Sequence, residues 1–486
     1  MKDMVHNDQQ VIEVLWSDGL LEEAVANLVE EASVDHPQWI GYNIMDVNVA
    51  VVEAGKKLGY YPLKDEQTLC ISKFVEGNDV FCVLPTGFGK TACFACLPLV
   101  FDLLHSRGSE EKSILIVISP LTALIKNHVE TLRKKSLDVG YLDADSTIEV
   151  KSHVLKGKYS IVLLSPEMLL GKWRSLFMNK VYQRRLIGLA IDEAHCVVKW
   201  GLTFRECFAR IGEVRSLMDA SVHILALTAT ASTSLREKVS HLLGMNTPFL
   251  IVQSPDKINI RYTVLKIGSY DVFFKHLLND LRRMCTLLPR VIIFCKHKAD
   301  CAKLYTYFRC SMGDEFTDPS GTSQFLPDHR LVDMFFLGTE AKIKEAIISN
   351  FTRPSRLRIV ISTVSFGMGL DCQDVCLIIL VGPPSDVEMY VQEIGRGGRD
   401  GIPSYAILLS TSKLLQHCSE AMMTYTNNTS ICRRELLFSQ FDMFCKASCN
   451  MGCNCCDICI RSCTFHNCKS NLQEHYSFIP LFFGLS

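Results

Sequence analysis

Short, continuous apolar runs alternate with longer segments along most of the chain after residue 80. The runs are DVFCVLPTG, SILIVISP, YSIVLLSP, LIGLAIDEAH and VHILALTAT, and the pattern restarts with VIIFCKHK, LRIVISTVSFG, VCLIILVG and SYAILLS. Each has the length of a strand, and the segments between them are long enough for helices. Strands that are apolar on both faces are typical of a parallel sheet covered by helices on both sides. We therefore predict two tandem, doubly wound α/β domains that join near residues 253–264.

The segment before the first strand has a different pattern. Residues 11–32 carry apolar residues at helical spacing with a polar opposite face, which predicts one or two amphipathic helices. Residues 1–59 hold 3 basic and 11 acidic side chains, although the whole chain is nearly neutral, with 51 basic and 52 acidic residues. The remaining body is mildly basic, which is compatible with a polyanionic ligand without identifying one.

The chain has 22 cysteines, and nine of them fall between Cys432 and Cys468. The first residues lack a basic region followed by an apolar core, so we expect no secretory signal and reduced cysteines. A dense cluster of reduced cysteines indicates a metal site. No apolar run approaches the roughly 20 residues that cross a bilayer, so we expect no membrane partner.

A Gly-rich turn after the first apolar run is the first candidate site, and it contains Thr86, Gly87, Gly89, Lys90 and Thr91. The two glycines let the backbone fold around a phosphate chain, the lysine reaches the β- and γ-phosphates, and the Thr91 hydroxyl can bind Mg²⁺. The strict P-loop pattern has Gly where Leu84 stands, so this is the shorter T-G-x-G-K-T form. The alternative is an ordinary Gly-rich turn.

Two adjacent acids, Asp192 and Glu193, directly follow the apolar run LIGLAI. At the tip of a strand, one carboxylate can hold Mg²⁺ and the other can polarise the water that attacks a γ-phosphate. A solvated acidic turn is the alternative for the acids alone. Because the acids follow the phosphate loop in the right order and at the right distance, we predict an ATP-hydrolysing site.

Six motifs follow one another as in the helicases of superfamily 2: PTGFGKT, SPLTALIKNHVETL, DEAHC, LTATA, IVISTVSFGMGLD and QEIGRGGRDG. DEAHCVVKWGLTFR and FGMG…QEIGRGGRDG resemble the RecQ family of DNA helicases, over about residues 58–460. The resemblance implies two tandem RecA-like domains and a small C-terminal helical zinc-binding subdomain. The implied divisions are an acidic helical extension, an ATP-binding domain, a second RecA-like domain, the zinc-binding subdomain and a tail, at 1–57, 58–255, 256–412, 413–470 and 471–486.

The resemblance also assigns residues that contact the nucleotide base. LGYYPLKDEQ matches the family's motif 0, in which Tyr60 would stack on adenine and Gln67 would bind its edge. Lys64 stands where the family usually has Arg. Lysine keeps the charge but lacks the planar fork, so we expect a weaker grip on the nucleotide there.

Gln392, Arg396 and Arg399 match the family's motif VI. On a helix, arginines at positions i and i+3 point in one direction, here toward a γ-phosphate held by the first domain. By the resemblance, Arg399 is the arginine finger and Arg396 supports it. The alternative is a pair of surface arginines in a solvated salt network.

The segment after the acids looks like the family's aromatic-rich loop. Trp200 and Phe204 offer faces on which bases can stack, and Arg205 offers a phosphate contact. The alternative is that the aromatic rings pack in the core. The family usually has His-Asp where Leu202 and Thr203 stand, so we expect altered coupling between DNA binding and hydrolysis.

Cys432, Cys453, Cys456 and Cys459 resemble the four ligands of the family's zinc subdomain, with a slightly longer first gap. Four thiolates would close a structural Zn²⁺ site that leaves no open position for catalysis. A second metal or a different ligand set stays open, because other potential ligands crowd the site: Cys445, Cys449, Cys455, Cys463, His466 and Cys468.

Together these patterns predict an ATP-dependent 3′-to-5′ DNA helicase that uses ATP, Mg²⁺ and Zn²⁺. Its expected partners are single-stranded DNA and tailed duplex DNA, and its expected role is DNA repair or recombination. We expect it in the nucleus if the host is eukaryotic and in the cytoplasm otherwise. Two alternatives remain: an RNA helicase, because the acid motif is shared, and an ATP-switched DNA-binding adaptor that does not unwind.

Overall fold

Seven parallel strands form the first sheet of the protein. The computed structural model describes residues 46–108, 111–201, 205–268, 270–336, 338–363, 372, 374–441 and 454–462. The strands of the first sheet are β1 (Val80–Val83), β2 (Ile114–Ile118), β3 (Val139–Leu142), β4 (Ile161–Leu164), β5 (Leu186–Ile191), β6 (His223–Thr228) and β7 (Phe249–Val252). Their order across the sheet is β3-β4-β2-β5-β6-β1-β7, with every pairing parallel.

Helices cover both faces of this sheet, and together they form domain 1 (residues 46–252). They are α1 (Val47–Lys57), α2 (Asp65–Val75), α3 (Lys90–Ala95), α4 (Leu97–Leu104), α5 (Thr122–Arg133), α6 (Ile148–Leu155), α7 (Pro166–Leu170), α8 (Lys180–Arg185), α9 (Cys196–Lys199) and α10 (Thr233–Leu243). Short 3₁₀ helices at Lys172–Met178, Glu206–Phe208 and Ile211–Leu217 complete the layers.

The two layers are visible in how β1 distributes its side chains. Val80 and Cys82 join one buried cluster, whereas Phe81 and Val83 join the cluster on the opposite face. Because successive side chains of a strand point to opposite faces, a strand buried on both sides must be apolar at every position. Burial on both faces therefore explains why the strands appear in the sequence as continuous apolar runs.

Helix α1 changes the boundary predicted at residue 58. Asp46 caps the helix by accepting a hydrogen bond from the backbone N–H of Asn48 at 2.7 Å. Ala50, Val51 and Ala54 lie along one side of α1 and are fully buried in the first core. Removing them from water favours this packing, so domain 1 begins before residue 58. The amphipathic segment 11–32 lies outside the described residues.

Six parallel strands form the second sheet. They are β8 (Ile260–Lys266), β9 (Arg290–Cys295), β10 (Val332–Phe335), β11 (Ile359–Ser362), β12 (Val375–Val381) and β13 (Ser404–Ser410), in the order β10-β11-β9-β12-β13-β8. Its helices are α11 (Asp271–Met284), α12 (Lys298–Met312), α13 (Ala341–Thr352) and α14 (Val387–Ile394). Short 3₁₀ helices lie at Cys285–Leu287, Gly313–Phe316, Pro327–His329 and Ser412–His417. We call this part domain 2 (residues 260–410), and residues 253–259 link it to domain 1.

Among the described residues after domain 2 there are three short helices, α15 (Glu420–Asn427), α16 (Arg433–Phe438) and α17 (Asp457–Arg461), with a 3₁₀ turn at Ser439–Phe441. They pack against the second sheet, because Tyr425, Phe438 and Cys456 share a buried cluster with Tyr262 of β8. Cys456 also forms an isolated bridge with Tyr262. The C-terminal segment therefore shares the core of domain 2.

The predicted fold, with two tandem doubly wound sheets, is confirmed, and the segment between β7 and β8 coincides with the predicted join. Both domains belong to one compact unit. Within the described residues, every helix is too short or too polar to cross a bilayer.

Candidate functional site

The Gly-rich turn lies between the end of β1 and the start of α3. Gly87 and Gly89 have φ angles of 80° and 90°, in the left-handed region that disfavours side chains. A Cβ on Gly89 would also lie 2.8 Å from Nε2 of Gln67. The Lys90 ammonium folds back over the turn and donates to the backbone oxygen of Leu84 at 3.2 Å. Thr91 follows as the second residue of α3. The turn therefore has the backbone shape expected of a phosphate loop.

Two of the three predicted base-contacting residues lie against this turn. Nε2 of Gln67 donates to the backbone oxygens of Phe88 and Gly89, both at 3.0 Å. The Lys64 ammonium lies 4.0 Å from the centre of the Phe88 ring. Tyr60 makes different contacts: the Lys135 ammonium lies 3.9 Å from the centre of its ring, and burial raises the pKa of its phenol. Lys64 and Gln67 are thus adjacent to the phosphate loop, whereas the contacts of Tyr60 are with Lys135 and the first core.

Asp192 and Glu193 follow β5 and are buried, with 5% and 8% exposure. Oδ1 of Asp192 accepts the backbone N–H of Glu193 at 3.0 Å, and Oδ2 lies 3.0 Å from Nε2 of His128 on α5. Burial raises the pKa of Asp192, but the hydrogen bond with His128 and the charge of Lys90 bring its pKa below the usual value. Asp192 is therefore ionised, as a Mg²⁺ ligand must be.

Glu193 has an unusual backbone and a shifted pKa. Its φ angle is 51°, a conformation that costs a non-glycine residue on the order of 1–3 kcal/mol and is common at functional sites. Burial raises the pKa of its carboxyl, and the charge of Lys90 opposes that rise. A carboxylate with a raised pKa is suited to accept a proton from water.

His195 connects the acids to the next strand. Its Nδ1 lies 3.0 Å from the Thr228 hydroxyl at the end of β6 and 3.4 Å from Oε2 of Glu193. Burial lowers the pKa of His195 to about 3, so the imidazole is neutral at physiological pH. A displacement of β6 would therefore move the Thr228 hydroxyl and, through His195, change the surroundings of the Glu193 carboxyl.

Domain 2 contributes the predicted arginines to the same place. Gln392 lies on α14, but this helix ends at Ile394, so the prediction that Arg396 and Arg399 share a helix face is wrong. They lie in the turn that follows, where glycines at 395, 397 and 398 disfavour helix. Cδ of Arg399 lies 3.9 Å from the point that a Cβ on Gly87 would occupy. Burial and the charge of Arg399 lower the pKa of Arg396 to about 10, and Glu193 opposes the shift.

Hydrogen bonds join the two domains at this turn. The Thr86 hydroxyl donates to the backbone oxygen of Gly395 at 2.7 Å. The Lys257 ammonium, from the segment between the domains, donates to the backbone oxygens of Gly395 at 2.6 Å and Gly397 at 3.1 Å. The structure therefore brings the phosphate loop, the two acids and both arginines together in one cleft.

The predicted nucleic-acid contacts have partners inside domain 1. Arg205 donates to Oε1 of Glu167 at 2.6 and 2.8 Å and to the backbone oxygen of Pro120 at 2.6 Å. Trp200 packs edge to face on Phe208 with the ring centres 5.7 Å apart, and the Arg205 guanidinium lies 5.6 Å from the centre of the Trp200 ring. Phe204 lies outside the described residues. Contacts of Trp200 and Arg205 with nucleic acid remain predictions.

Four thiols gather beside β8: those of Cys432, Cys455, Cys456 and Cys459 lie within 4.8 Å of one another. Cys432 and Cys455 are 3.4 Å apart, as are Cys456 and Cys459, close to the roughly 3.8 Å expected between sulfurs of a tetrahedral Zn²⁺ site. Hydrogen bonds with the neighbouring thiols, that of Cys455 first, hold the pKa of Cys432 far below its usual range. A four-cysteine site that fits zinc is therefore present.

This group differs by one member from the set expected from sequence. Cys432, Cys456 and Cys459 come together as expected, and Cys455 stands beside them. Cys453 lies outside the described residues. Cys455 was one of the further potential ligands that left the ligand set open at the level of sequence, and it is a member of the described group.

His128 is the site residue that sequence reasoning missed. It lies in the SPLTALIKNHVETL segment, where a histidine within an amphipathic helix gives no signal of its own. Only the approach of α5 to the end of β5 brings its imidazole to Asp192.

Two families match the chain. The DEAD/DEAH box helicase family matches residues 64–238, and the helicase conserved C-terminal domain matches residues 278–401. The RecQ-like DNA helicase blm-1 of Caenorhabditis elegans is 26% identical over 468 residues, which cover 89% of this chain and 44% of that protein. The ATP-dependent DNA helicase RecQ of Haemophilus influenzae is 27% identical over 426 residues, which cover 83% of this chain and 62% of that protein.

Among solved structures, the Mycobacterium smegmatis helicase Lhr bound to ssDNA and AMP-PNP matches with a TM-score of 0.57. It is 17% identical, and the match covers 79% of this chain and 50% of that chain. At this identity the likeness shows the fold alone. The chain spans less than two thirds of the length of either curated relative.

Proposed function

We propose that the chain is a RecQ-like helicase of superfamily 2, which hydrolyses Mg-ATP to move along single-stranded DNA in the 3′-to-5′ direction and to separate duplex strands. Work in DNA repair or recombination, in the nucleus of a eukaryotic host, is part of this proposal.

The observation that carries the proposal is the cleft shared by the two domains. The phosphate loop and both acids come from domain 1, and Arg396 and Arg399 come from domain 2. Arg399 passes over Gly87, and the Thr86 hydroxyl is bonded to the turn that carries the arginines. A site divided in this way responds to the nucleotide by closing and opening, which is what translocation requires.

In this proposal each site residue has a role. Lys90 would bind the β- and γ-phosphates, and the Thr91 hydroxyl and the Asp192 carboxylate would hold Mg²⁺. Glu193 accepts a proton from the attacking water. Arg399 stabilises the charge that develops on the transferred phosphate, Arg396 supports it, and Gln392 orients the turn. As the resemblance implies, Tyr60 would stack on adenine, Gln67 would bind the edge of the base, and Lys64 would add a weaker contact with the nucleotide.

Zn²⁺ bound by four thiolates would stabilise the fold and would have no open position for chemistry. The four cysteines tie α16 and α17 to β8, so the ion would hold the C-terminal segment against domain 2. This role is structural rather than catalytic.

The test measures ATP turnover with single-stranded DNA, with single-stranded RNA and with neither, and then strand separation on duplexes with a 3′ or a 5′ tail. We expect stimulation by DNA and separation of the 3′-tailed duplex. Lys90→Ala should abolish turnover and leave DNA binding largely intact, while Lys134→Ala, which changes an exposed lysine of domain 1, should match the wild type.

Each remaining outcome identifies an alternative. Stimulation by RNA alone would favour an RNA helicase. Stimulation by DNA without strand separation would favour the ATP-switched adaptor. Turnover that ignores every nucleic acid, or that survives Lys90→Ala, would overturn the proposal.

A further inference from the structure

A second set of contacts joins the domains, away from the arginine turn. Lys199 is the last residue of α9, four positions after His195. Its ammonium lies 2.6 Å from Oδ1 of Asp386 in domain 2, and the two side chains are only 17% and 27% exposed. Burial raises the pKa of Asp386, but the charge of Lys199 and the hydrogen bond with it bring that pKa below its usual value. The Asp386 carboxylate is therefore ionised, and both side chains are partly shielded from solvent.

Asp386 also begins the helix that leads to the arginines. Its Oδ1 accepts the backbone N–H of Met389 at 2.8 Å, which caps α14. Close by on α14, Oε1 of Glu388 accepts a hydrogen bond from the hydroxyl of Ser232 at 2.6 Å, and Ser232 is the residue before the first turn of α10 in domain 1. The start of α14 is thus held to domain 1 at two points.

The other end of α14 reaches the ATP site. Gly395 caps this end and accepts hydrogen bonds from Thr86 and Lys257. An eight-residue helix is about 12 Å long and rigid, so its two ends move together. A change in the distance between Lys199 and Asp386 therefore changes where Arg396 and Arg399 stand relative to the phosphate loop.

We propose that Lys199 and Asp386 are positioning residues whose ion pair latches domain 2 against domain 1 and keeps Arg396 and Arg399 within reach of the ATP phosphates. The inference rests on the proposed ATPase function for its kinetic consequence. The latch links the strand end that carries the acids to the helix that carries the arginines, so the two halves of the site close as a unit.

The variants remove the ion pair while keeping the helix cap. Lys199→Gln removes the positive charge, and Asp386→Ser keeps a residue that caps helices as well as aspartate does but is too short to reach Lys199. The variant with both Lys199→Gln and Asp386→Ser completes a double-mutant cycle, and Lys199→Arg keeps the positive charge. The matched control is Lys134→Gln, because Lys134 forms an exposed ion pair with Glu130 inside domain 1 at the same 2.6 Å distance.

We expect kcat/KM for ATP to fall about fivefold in each single variant, which is about 1 kcal/mol for a partly shielded pair. The double variant should fall no further, because the first change has already removed the interaction. The difference in kcat/KM between the wild type and each single variant should shrink as salt is added, since salt screens the ion pair of the wild type. Lys199→Arg should retain most of the activity. Unchanged melting temperatures would separate this effect from misfolding.

Small-angle X-ray scattering without nucleotide tests the latch independently of catalysis. We expect a larger radius of gyration in Lys199→Gln and Asp386→Ser than in the wild type and in Lys134→Gln. Additive kinetic losses, or an unchanged radius of gyration in both latch variants, would overturn the inference. If the wild type lacked ATP turnover, the proposed function would fail, and the scattering comparison would still decide the latch.

Discussion

Replacing His128 with alanine tests whether the Asp192 carboxylate depends on the imidazole beside it. Nε2 of His128 lies 3.0 Å from Oδ2 of Asp192, and the His128 side chain is 11% exposed. The other carboxylate oxygen is held by the N–H of Glu193, so the alanine variant frees one oxygen to rotate. A hydrogen bond to a charged group contributes about 1.5–3 kcal/mol. If the loss of this bond lets the carboxylate turn away from the position that binds Mg²⁺, so that the transition state loses this free energy, kcat/KM for ATP should fall roughly 10- to 100-fold.

The assay is ATP turnover at saturating single-stranded DNA over a range of Mg²⁺ concentrations. Because Asp192 would hold the ion, we expect the alanine variant to need more Mg²⁺ for half-maximal turnover. The His128 ring also packs edge to face on Phe94, with the ring centres 5.6 Å apart, so alanine removes some packing as well. His128→Gln is the matched control, because its amide can donate to Asp192 and fills part of the volume.

The comparison of His128→Gln with His128→Ala separates the orientation of the Asp192 carboxylate from the packing of the His128 ring. The glutamine variant should recover most of the Mg²⁺ response, and thermal unfolding should show how much stability each variant loses. A wild-type Mg²⁺ response together with wild-type turnover in His128→Ala would refute the reasoning.

Three further predictions concern other parts of the site. Arg399→Ala should lower kcat roughly 10³-fold with little effect on ATP binding, measured by phosphate release and nucleotide titration; equal losses in both would contradict a finger role. Gly89→Ala should lose turnover and soluble yield, because its φ is 90° and a Cβ would meet Gln67. Cys455→Ser should lower the bound zinc by about one ion per chain in metal analysis; an unchanged zinc content would indicate that Cys453, and not Cys455, binds the ion.

The sequence predicted the parts of the fold that depend on short-range pattern. Strands buried on both faces must be apolar throughout, so β1 and β5 stood out in the chain. The ends of parallel strands meet at one edge, so the order of the motifs was enough to predict that Lys90 and Asp192 lie together. These features need only local pattern and one topological rule.

The rest depended on contacts between distant segments. No pattern around His128 or Lys199 indicates a partner, because Asp192 and Asp386 are 64 and 187 positions away along the chain. Arg205 was expected to bind phosphate from its place in a motif, but a guanidinium offers several donors, and here they are used by Glu167 and Pro120. The position of a residue in a motif therefore predicts its type, but it does not predict which groups its side chain contacts.

The surplus of cysteine has two explanations within the described residues. Four thiols form the group that fits zinc. Cys70, Cys82 and Cys93 also lie within 4.8 Å of one another, but they are fully buried among apolar side chains of domain 1. A structural zinc site uses four ligands, and buried free cysteine commonly packs as a small apolar side chain. These three thiols are therefore part of the core, beneath the phosphate loop.

A chain of contacts leads from the cysteine group to the ATP site through the segment between the domains. Arg434 follows Cys432 by two residues, is fully buried, and pairs with Asp256. It also donates to the backbone oxygen of Lys257 at 3.0 Å. The Lys257 ammonium in turn bonds the backbone of Gly395, in the turn that carries the arginines. Because breaking a buried ion pair leaves an uncompensated charge, this chain of contacts resists displacement. A metal bound far from ATP would therefore help to set where the arginines stand.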